Sequence, residues 1–216
     1  MNTLTFDIET IPQNEESLSK IQEEEIEKKM ERYLVKRPHE DEGEAKKMLM
    51  ATSPYFGEII TIGLHRHTEY GDEDSIALIG SEEEILSRFW ENIKSFNGLF
   101  ISFNGISFDV PFISKRSMKH RITPSNTKFL DTYKFQKRPH FDVKSVISDF
   151  NNWVAPTLKL TCDLLDVPSP KGGGVEAKNV AQAFHNGRID EIADYCEKDV
   201  KATFECYKKM IGYFKS

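Results

Sequence analysis

Leu4-Thr5-Phe6-Asp7-Ile8-Glu9 alternates apolar and polar residues, the two-residue period of a half-buried β-strand. Side chains at i and i+2 share a face, so Asp7 and Glu9 point the same way while Leu4, Phe6 and Ile8 take the opposite, buried face. Two adjacent carboxylates on an apolar strand repel each other, and no cation stands near them in sequence. A hard divalent cation would relieve both costs, since oxygen ligands suit Mg²⁺ or Mn²⁺. An edge strand turning both acids to solvent is the competing reading of this pair alone.

Outward from this strand, residues 15–47 are dense in charge, with Glu23-Glu24-Glu25 and Glu40-Asp41-Glu42. Leu18, Ile21, Ile26, Met30, Tyr33 and Leu34 recur at roughly helical spacing there. One amphipathic helix, a break at Pro38 and a second helix to Met50 are expected. This insertion, about 13–52, reads as a solvated surface or as a lid over a site. Strands follow at 59–64 and 75–79. Ser81-Glu82-Glu83-Glu84 is a capping box opening a helix through Ile93. An apolar strand at 99–103 stops at the turn pair Asn104-Gly105, and a helix runs from 107 to 119. An extended piece is expected near Phe129-Leu130. Helices are expected near 142–150, 157–166, 176–185 and 189–214. That order indicates an α/β mixed sheet flanked by helices, and 216 residues suit one domain.

Composition bounds the function. The 29 basic and 35 acidic side chains give a net charge of −6, which argues against holding nucleic acid by bulk positive charge but not against local basic patches. No stretch approaches the ~20 apolar residues of a membrane helix, and the N-terminus lacks a secretion signal pattern. Three cysteines, Cys162, Cys196 and Cys206, have no zinc-like spacing and read as reduced thiols, so a cytoplasmic location is expected.

Two further groups could carry chemistry. Asp109 sits just past a strand, in Phe103-Asn104-Gly105-Ile106-Ser107-Phe108-Asp109, where helix N-terminal charge is its plain alternative. Tyr195 and Asp199 are i and i+4 on the last helix, along one margin of its apolar stripe of Ile189, Ile192, Ala193, Cys196, Val200, Phe204 and Tyr207. That margin is where a residue lining a cleft against the sheet belongs. Taken alone each is weak; the set and its order are specific.

With Phe6-Asp7-Ile8-Glu9-Thr10, Asn104 through Phe108-Asp109, and Tyr195-Cys196-Glu197-Lys198-Asp199-Val200, the sequence resembles the tyrosine subclass of the DEDD superfamily of 3′–5′ exonucleases, which have a ribonuclease H-like fold. The likeness is to stand-alone proteins related to the exonuclease domain of family B DNA polymerases, and runs from residue 4 to about 207. The resemblance implies that Asp7, Glu9, Asp109 and Asp199 hold two Mg²⁺ or Mn²⁺ ions flanking a scissile phosphate, and that Tyr195 positions the attacking water. Thr10, Asn104 and Phe108 would touch the substrate, although Phe108 also reads as core. The implied reaction releases nucleoside 5′-monophosphates from a 3′ end. Single-stranded DNA is the expected substrate; an RNA-trimming enzyme and a catalytically silent nucleic-acid-binding module are the alternatives.

Weaker signals surround this set. Lys115-Arg116 with Lys119-His120-Arg121, and Lys134, Lys137, Arg138 and His140 with Phe135 and Phe141 interleaved, are basic clusters that could track phosphates or simply face solvent. His140 and Asp142 could support the site from behind. Trp90 and Trp153 read as packing residues, and Lys171-Gly172-Gly173-Gly174 as a flexible loop without the features of a nucleotide-binding loop. No polymerase fits beside this domain, so partnership with replication or repair proteins is open.

Overall fold

The computed structural model describes residues 1–133, 135–151, 156–169, 175 and 179–214. The first strand, β1 (Thr3–Pro12), forms where the alternation places it. It lies at the centre of a six-stranded mixed sheet. On one side it pairs antiparallel with β2 (Gly57–Thr68), with Phe6 opposite Leu64 and Ile8 opposite Ile62. On the other it pairs parallel with β5 (Leu99–Ser102), Thr3 opposite Leu99, and β5 pairs parallel with β6 (His140–Asp142). Two short strands, β3 (Gly71–Asp72) and β4 (Ile76–Leu78), complete the far side of β2.

Each face of the sheet buries its own helices, which is what two apolar faces require. Leu4, Phe6, Ile8, Ile62 and Leu64 pack on α3 (Glu82–Ile93) and α4 (Asp109–Lys119). The capping box is present: Ser81 accepts from Glu84 N, and the Glu84 side chain accepts from Ser81 N at 2.9 Å. Phe129 lies at the middle of this core, with ring centroids 5.0 Å from Phe6, 5.0 Å from Phe89 and 5.2 Å from Phe100. Trp90 packs beside it and donates to Ser117 Oγ at 2.8 Å. The opposite face packs α5 (Val143–Ile147), α6 (Leu158–Leu164) and the 22-residue α8 (Ile189–Met210) against Leu99, Ile101 and Phe141. The helix α7 (Val180–His185) covers Ile11 and Ile60. On α8 the buried stripe is Ile192, Cys196, Val200, Phe204 and Tyr207 as expected, widened by Ala202, Thr203, Cys206 and Met210; Ile189 and Ala193 are only half-buried.

Gly63 explains how closely α8 approaches the strands. A Cβ there would lie 2.8 Å from Cys196 Sγ and 3.1 Å from the Cys196 carbonyl oxygen, so any larger residue would lift the helix away. Between β1 and β2 the chain forms α1 (Lys20–Lys36) and α2 (Glu42–Ala51), interrupted around Pro38 as expected. Ile26, Met50 and Phe56 make a small core of their own, so this charged segment is anchored rather than wholly solvated.

Two expectations are corrected. Thr127–Leu130 is a 3-10 turn, not an extended piece, because the Phe129 side chain is needed inside the aromatic core. The extended segment is instead His140–Asp142, part of which the sequence pattern merges into the following helix; three residues are too few to show a period. Trp153, Lys134, residues 171–174 and residues 176–178 of the expected helix near 176–185 lie outside the described residues.

Candidate active site

The carboxylates gather at the C-terminal ends of the parallel strands. Asp7 and Glu9 project from the same face of β1, toward α8. Immediately after Glu9 the β1–β2 register shifts: Glu9 is opposite Thr61 but Thr10 is opposite Ile59, leaving Ile60 as the extra residue. Such bulges re-aim side chains beside functional sites. Thr10 is consequently directed at α2, where its Oγ1 donates to the Ala51 carbonyl oxygen at 2.8 Å.

Asp109 opens α4 and is 2% exposed. Its Oδ1 accepts from the backbone N–H of Ile8 at 3.0 Å, between the two strand acids in sequence. It is therefore more than a favourable charge at a helix start: it docks the end of α4 onto β1. The preceding turn is shaped for this. Asn104 sits at φ 72°, a left-handed conformation that asparagine tolerates better than most residues. Gly105 has no room for a Cβ, which would lie 2.4 Å from Ser102 Oγ. Asp142, at the end of β6, accepts from the N–H groups of Asn104 (3.0 Å), Ile106 (3.1 Å) and Ser145 (3.0 Å). One buried carboxylate thus fixes the turn and caps α5. Phe108, expected to touch substrate or to pack in the core, is half-buried and packs against the core cluster with its ring on Phe112 at 5.5 Å. His140 stacks on Phe100 and contacts the Phe129 carbonyl oxygen through Nε2 at 2.8 Å. Burial pushes its imidazole down to about 4, so it serves the aromatic core, while Asp142 is the supporting residue.

From α8, Tyr195 and Asp199 face the strand acids. Electrostatics record the convergence. The Asp7 carboxyl is held well above its ordinary range by burial, then by the charges of Asp109, Glu9 and Asp199. Glu9 is raised by burial, Asp199 and Asp109. Burial and then Asp142 push Asp109 up to about 8, against the pull of its backbone hydrogen bonds. Asp199 rises to about 6 through burial, offset by its contact with the Tyr195 hydroxyl. The Tyr195 phenol is pushed up by burial and by Asp199, Glu9 and Asp7. Among the described residues no lysine, arginine or histidine enters any of these shifts.

Cys196 is the residue that sequence reasoning placed only in the apolar stripe. Its fully buried Sγ–H donates to the Asp7 carbonyl oxygen at 3.7 Å and to Asp7 Oδ2 at 3.8 Å. Ligand atoms of Asp7, Glu9 and Cys196 lie within 4.8 Å of one another. Its position one residue after Tyr195 puts it on the sheet-facing stripe, but its contact with Asp7 depends on the close approach of α8 at Gly63. The residues fit divalent ions. Of the four acids, Asp7 and Glu9 fall in this close group with Cys196; burial and then neighbouring acids raise both, and Asp199 Oδ1 is buried without a hydrogen-bond partner among the described residues.

The sequence matches a family described as predicted 3′–5′ exonucleases related to the exonuclease domain of PolB, over residues 53–214. The chain belongs to this family. The match includes Asp109, Tyr195 and Asp199. An uncharacterised protein of Methanocaldococcus jannaschii is 28% identical over 169 residues, 74% of this chain and 89% of that protein. A DNA polymerase of Thermococcus gorgonarius is 26% identical over 211 residues, 83% of this chain but 27% of the polymerase. A DNA polymerase of Pyrococcus glycovorans is 28% identical over 144 residues, 60% of this chain and 18% of its own length. The chain therefore spans about a quarter or less of these polymerases. Among solved structures, the family B DNA polymerase of Pyrobaculum calidifontis superposes with a TM-score of 0.64 at 14% identity, covering 98% of this chain and 25% of that one. That superposition includes β1, which the family match does not reach, and it identifies the mixed sheet of this exonuclease-related chain as ribonuclease H-like.

One expected role is withdrawn. Arg116, read as a candidate phosphate contact, is 2% exposed and bound to Glu82 through Nε at 2.7 Å and Nη2 at 2.5 Å. His120 contacts the same carboxylate at 2.7 Å, and Lys119 donates to Gln13 at 2.9 Å. Most of the first basic cluster thus ties α4 to its neighbours. Among the described residues no helix is long and apolar enough to cross a membrane.

Proposed function

We propose that this chain is a divalent-metal-dependent 3′–5′ exonuclease that hydrolyses phosphodiester bonds from the 3′ end of single-stranded DNA and releases nucleoside 5′-monophosphates. The observation that carries the reading is the convergence of Asp7, Glu9, Asp109, Asp199 and Tyr195 from remote parts of the chain, with Asp7 and Glu9 raised by burial and then by the charges of the other acids. Membership in a family of polymerase-related exonucleases supports it.

Asp7, Glu9, Asp199 and Asp109 would hold two Mg²⁺ or Mn²⁺ ions. When bound, the pair supplies positive charge to offset the charge that builds on a phosphate under attack, and acidifies a water. The chain's residues do the rest. Asp109 braces β1 through Ile8, so the spacing of Asp7 and Glu9 is set by α4 as well as by the strand. Tyr195 stays a neutral phenol at pH 7, because burial and the neighbouring acids oppose its ionisation. It therefore orients the attacking water through a hydrogen bond and does not take its proton. Asn104, in the turn that leads to Asp109, and the backbone of Thr10, next to Glu9, would contact a terminal nucleotide, while the Thr10 hydroxyl is held by Ala51 and Phe108 packs on Phe112.

The test is a degradation assay on end-labelled oligonucleotides. Single-stranded DNA with a free 3′ end should shorten stepwise from that end with Mg²⁺ or Mn²⁺ and stay intact with EDTA or a blocked 3′ end. RNA, assayed in parallel, decides sugar preference. No shortening of any strand under these conditions would sink the reading and favour a silent binding module.

A further inference from the structure

Four described residues of the second basic cluster, Phe135, Lys137, Arg138 and Phe141, line a place away from the carboxylates. Phe135, Lys137 and Arg138 line a cavity of about 510 Å³ at the opposite ends of the parallel strands, with Leu99, Phe141 and Ile211 beneath and Phe214 beside them. Leu99 begins β5 and pairs with Thr3 at the start of β1, whereas Asp7 lies four residues farther along, about 13 Å at the rise of a strand. From Asp199 to Ile211, just past the end of α8, the chain advances about 18 Å the opposite way, from the carboxylates back toward the cavity. The cavity is thus a place of its own on the α8 side of the sheet.

Its chemistry is specific. The base is apolar: Leu99 and Phe141 are buried, and both belong to the core. The aromatic wall is accessible, with Phe135 63% exposed. The charges are of one sign. Lys137 and Arg138 line the cavity, no carboxylate among the described residues does, and the chain as a whole carries −6. The Lys137 ammonium stands 5.2 Å from the centroid of the Phe214 ring, so a cation and an aromatic face already meet there. The Arg138 guanidinium contacts the Met1 sulfur at 3.2 Å. An apolar, aromatic-walled cavity edged by cations suits a ligand that is planar at one end and anionic at the other.

We infer that this cavity binds a nucleotide, its base against Phe135 and Phe214 and its phosphate on Lys137 and Arg138, as an anchoring subsite for a single strand whose 3′ end reaches the carboxylates. The strand part of the inference rests on the proposed exonuclease reading; the nucleotide part does not.

The experiment measures binding without turnover, in EDTA at low salt. Fluorescence anisotropy of a labelled 12-nucleotide DNA strand is compared for the wild-type chain, Phe135→Ala and the pair Lys137→Glu with Arg138→Glu, and dAMP is titrated separately by NMR. Both variants lie on the surface, and unchanged melting temperatures verify their folding. The charge-reversed pair should weaken strand binding at least tenfold and Phe135→Ala several-fold, while hydrolysis of thymidine 5′-p-nitrophenyl phosphate, which occupies only the carboxylate cleft, stays unchanged with Mn²⁺. A dAMP titration that shifts resonances of Phe135 and Phe214, with strand binding unaltered, identifies a free nucleotide as the occupant and removes the strand anchor. Unaltered strand binding together with no dAMP response overturns the inference. Loss of small-substrate hydrolysis in the wild-type chain would count against the exonuclease reading and leave the cavity's binding result standing.

Discussion

Two half-buried acid clusters in this molecule are opposites. Around Glu82, burial pushes the carboxyl upward, but Arg116, the Ile59 N–H and His120 pull it below its ordinary range. Around Asp7 and Glu9, burial pushes upward and the charges of Asp109 and Asp199 push the same way. The first cluster is closed: each oxygen of Glu82 is answered by donors within 2.5–2.8 Å. In the second, Asp199 Oδ1 is buried with no hydrogen-bond partner among the described residues. Burial alone therefore does not mark a site; the identity of what meets the buried charge does.

The comparison breaks most visibly at Glu82. Glu82→Ala leaves Arg116 buried without its anion and frees the Ile59 N–H, a loss of about 3–5 kcal/mol of stability by the cost of removing one member of a buried pair. Denaturant unfolding checks it, and nuclease activity per folded molecule should be unchanged. A cost under about 1 kcal/mol would mean the cluster is not structural. Asp7→Asn should do the reverse. Activity should fall more than about 100-fold, beyond what losing a supporting partner of a metal ligand costs. The metal-free protein should melt at the same temperature or a few degrees higher, because one of several mutually repelling carboxylates has become neutral. Retained activity, or a collapse in melting temperature, would show that Asp7 is structural instead.

The same contrast fixes a pH dependence. Asp109 and Asp199 have folded values of about 8 and about 6 against an ordinary 3.8, and Asp7 and Glu9 are raised too. An acid whose value is higher in the folded state binds its proton more tightly there. Its contribution to stability is thus complete below about pH 4 and is lost as pH climbs through 6 and then 8. The metal-free protein should lose stability over that window. Mg²⁺ or Mn²⁺ at about 100 times its dissociation constant should return about 2.7 kcal/mol at about pH 8 and progressively less as protons compete on acidification. Thermal melts at about pH 5, 6.5 and 8 with and without the ion measure both. A gain independent of pH would detach the carboxylates from the ion.

Much of this contrast was legible before the structure. The period-2 alternation of β1 fixed which face carries Asp7 and Glu9, the Ser81–Glu84 capping box fixed where α3 begins, and the i, i+4 spacing placed Tyr195 beside Asp199. What stayed hidden depends on contacts between distant segments. Asp142 acquires its role only because the three-residue β6 pairs with β5. Arg116 looked like a surface cation because nothing local reveals that Glu82 faces it from α3. Cys196 was one more apolar position until Gly63 let α8 settle against the strand bearing Asp7.

Tyr195 supplies the finest discrimination between the open cluster and a merely acidic one. Its ring packs with the small core of Ile11, Ile60 and Val180, so Tyr195→Phe keeps the aromatic packing and removes only the hydroxyl. If that hydroxyl orients the attacking water, kcat should fall about tenfold, about 1.4 kcal/mol of transition-state stabilisation, with KM little changed. The pH profile sharpens the reading. A phenol acting as base would impose its own ionisation on the rate, and its removal would abolish an alkaline rise. A phenol held neutral by burial and by Asp199, Glu9 and Asp7 imposes none, so the profiles of the wild-type enzyme and the Tyr195→Phe variant should be parallel and offset. An alkaline rise present in the wild type and lost in the variant would make Tyr195 a proton acceptor and reverse the assignment; equal kcat throughout would leave the tyrosine only its packing.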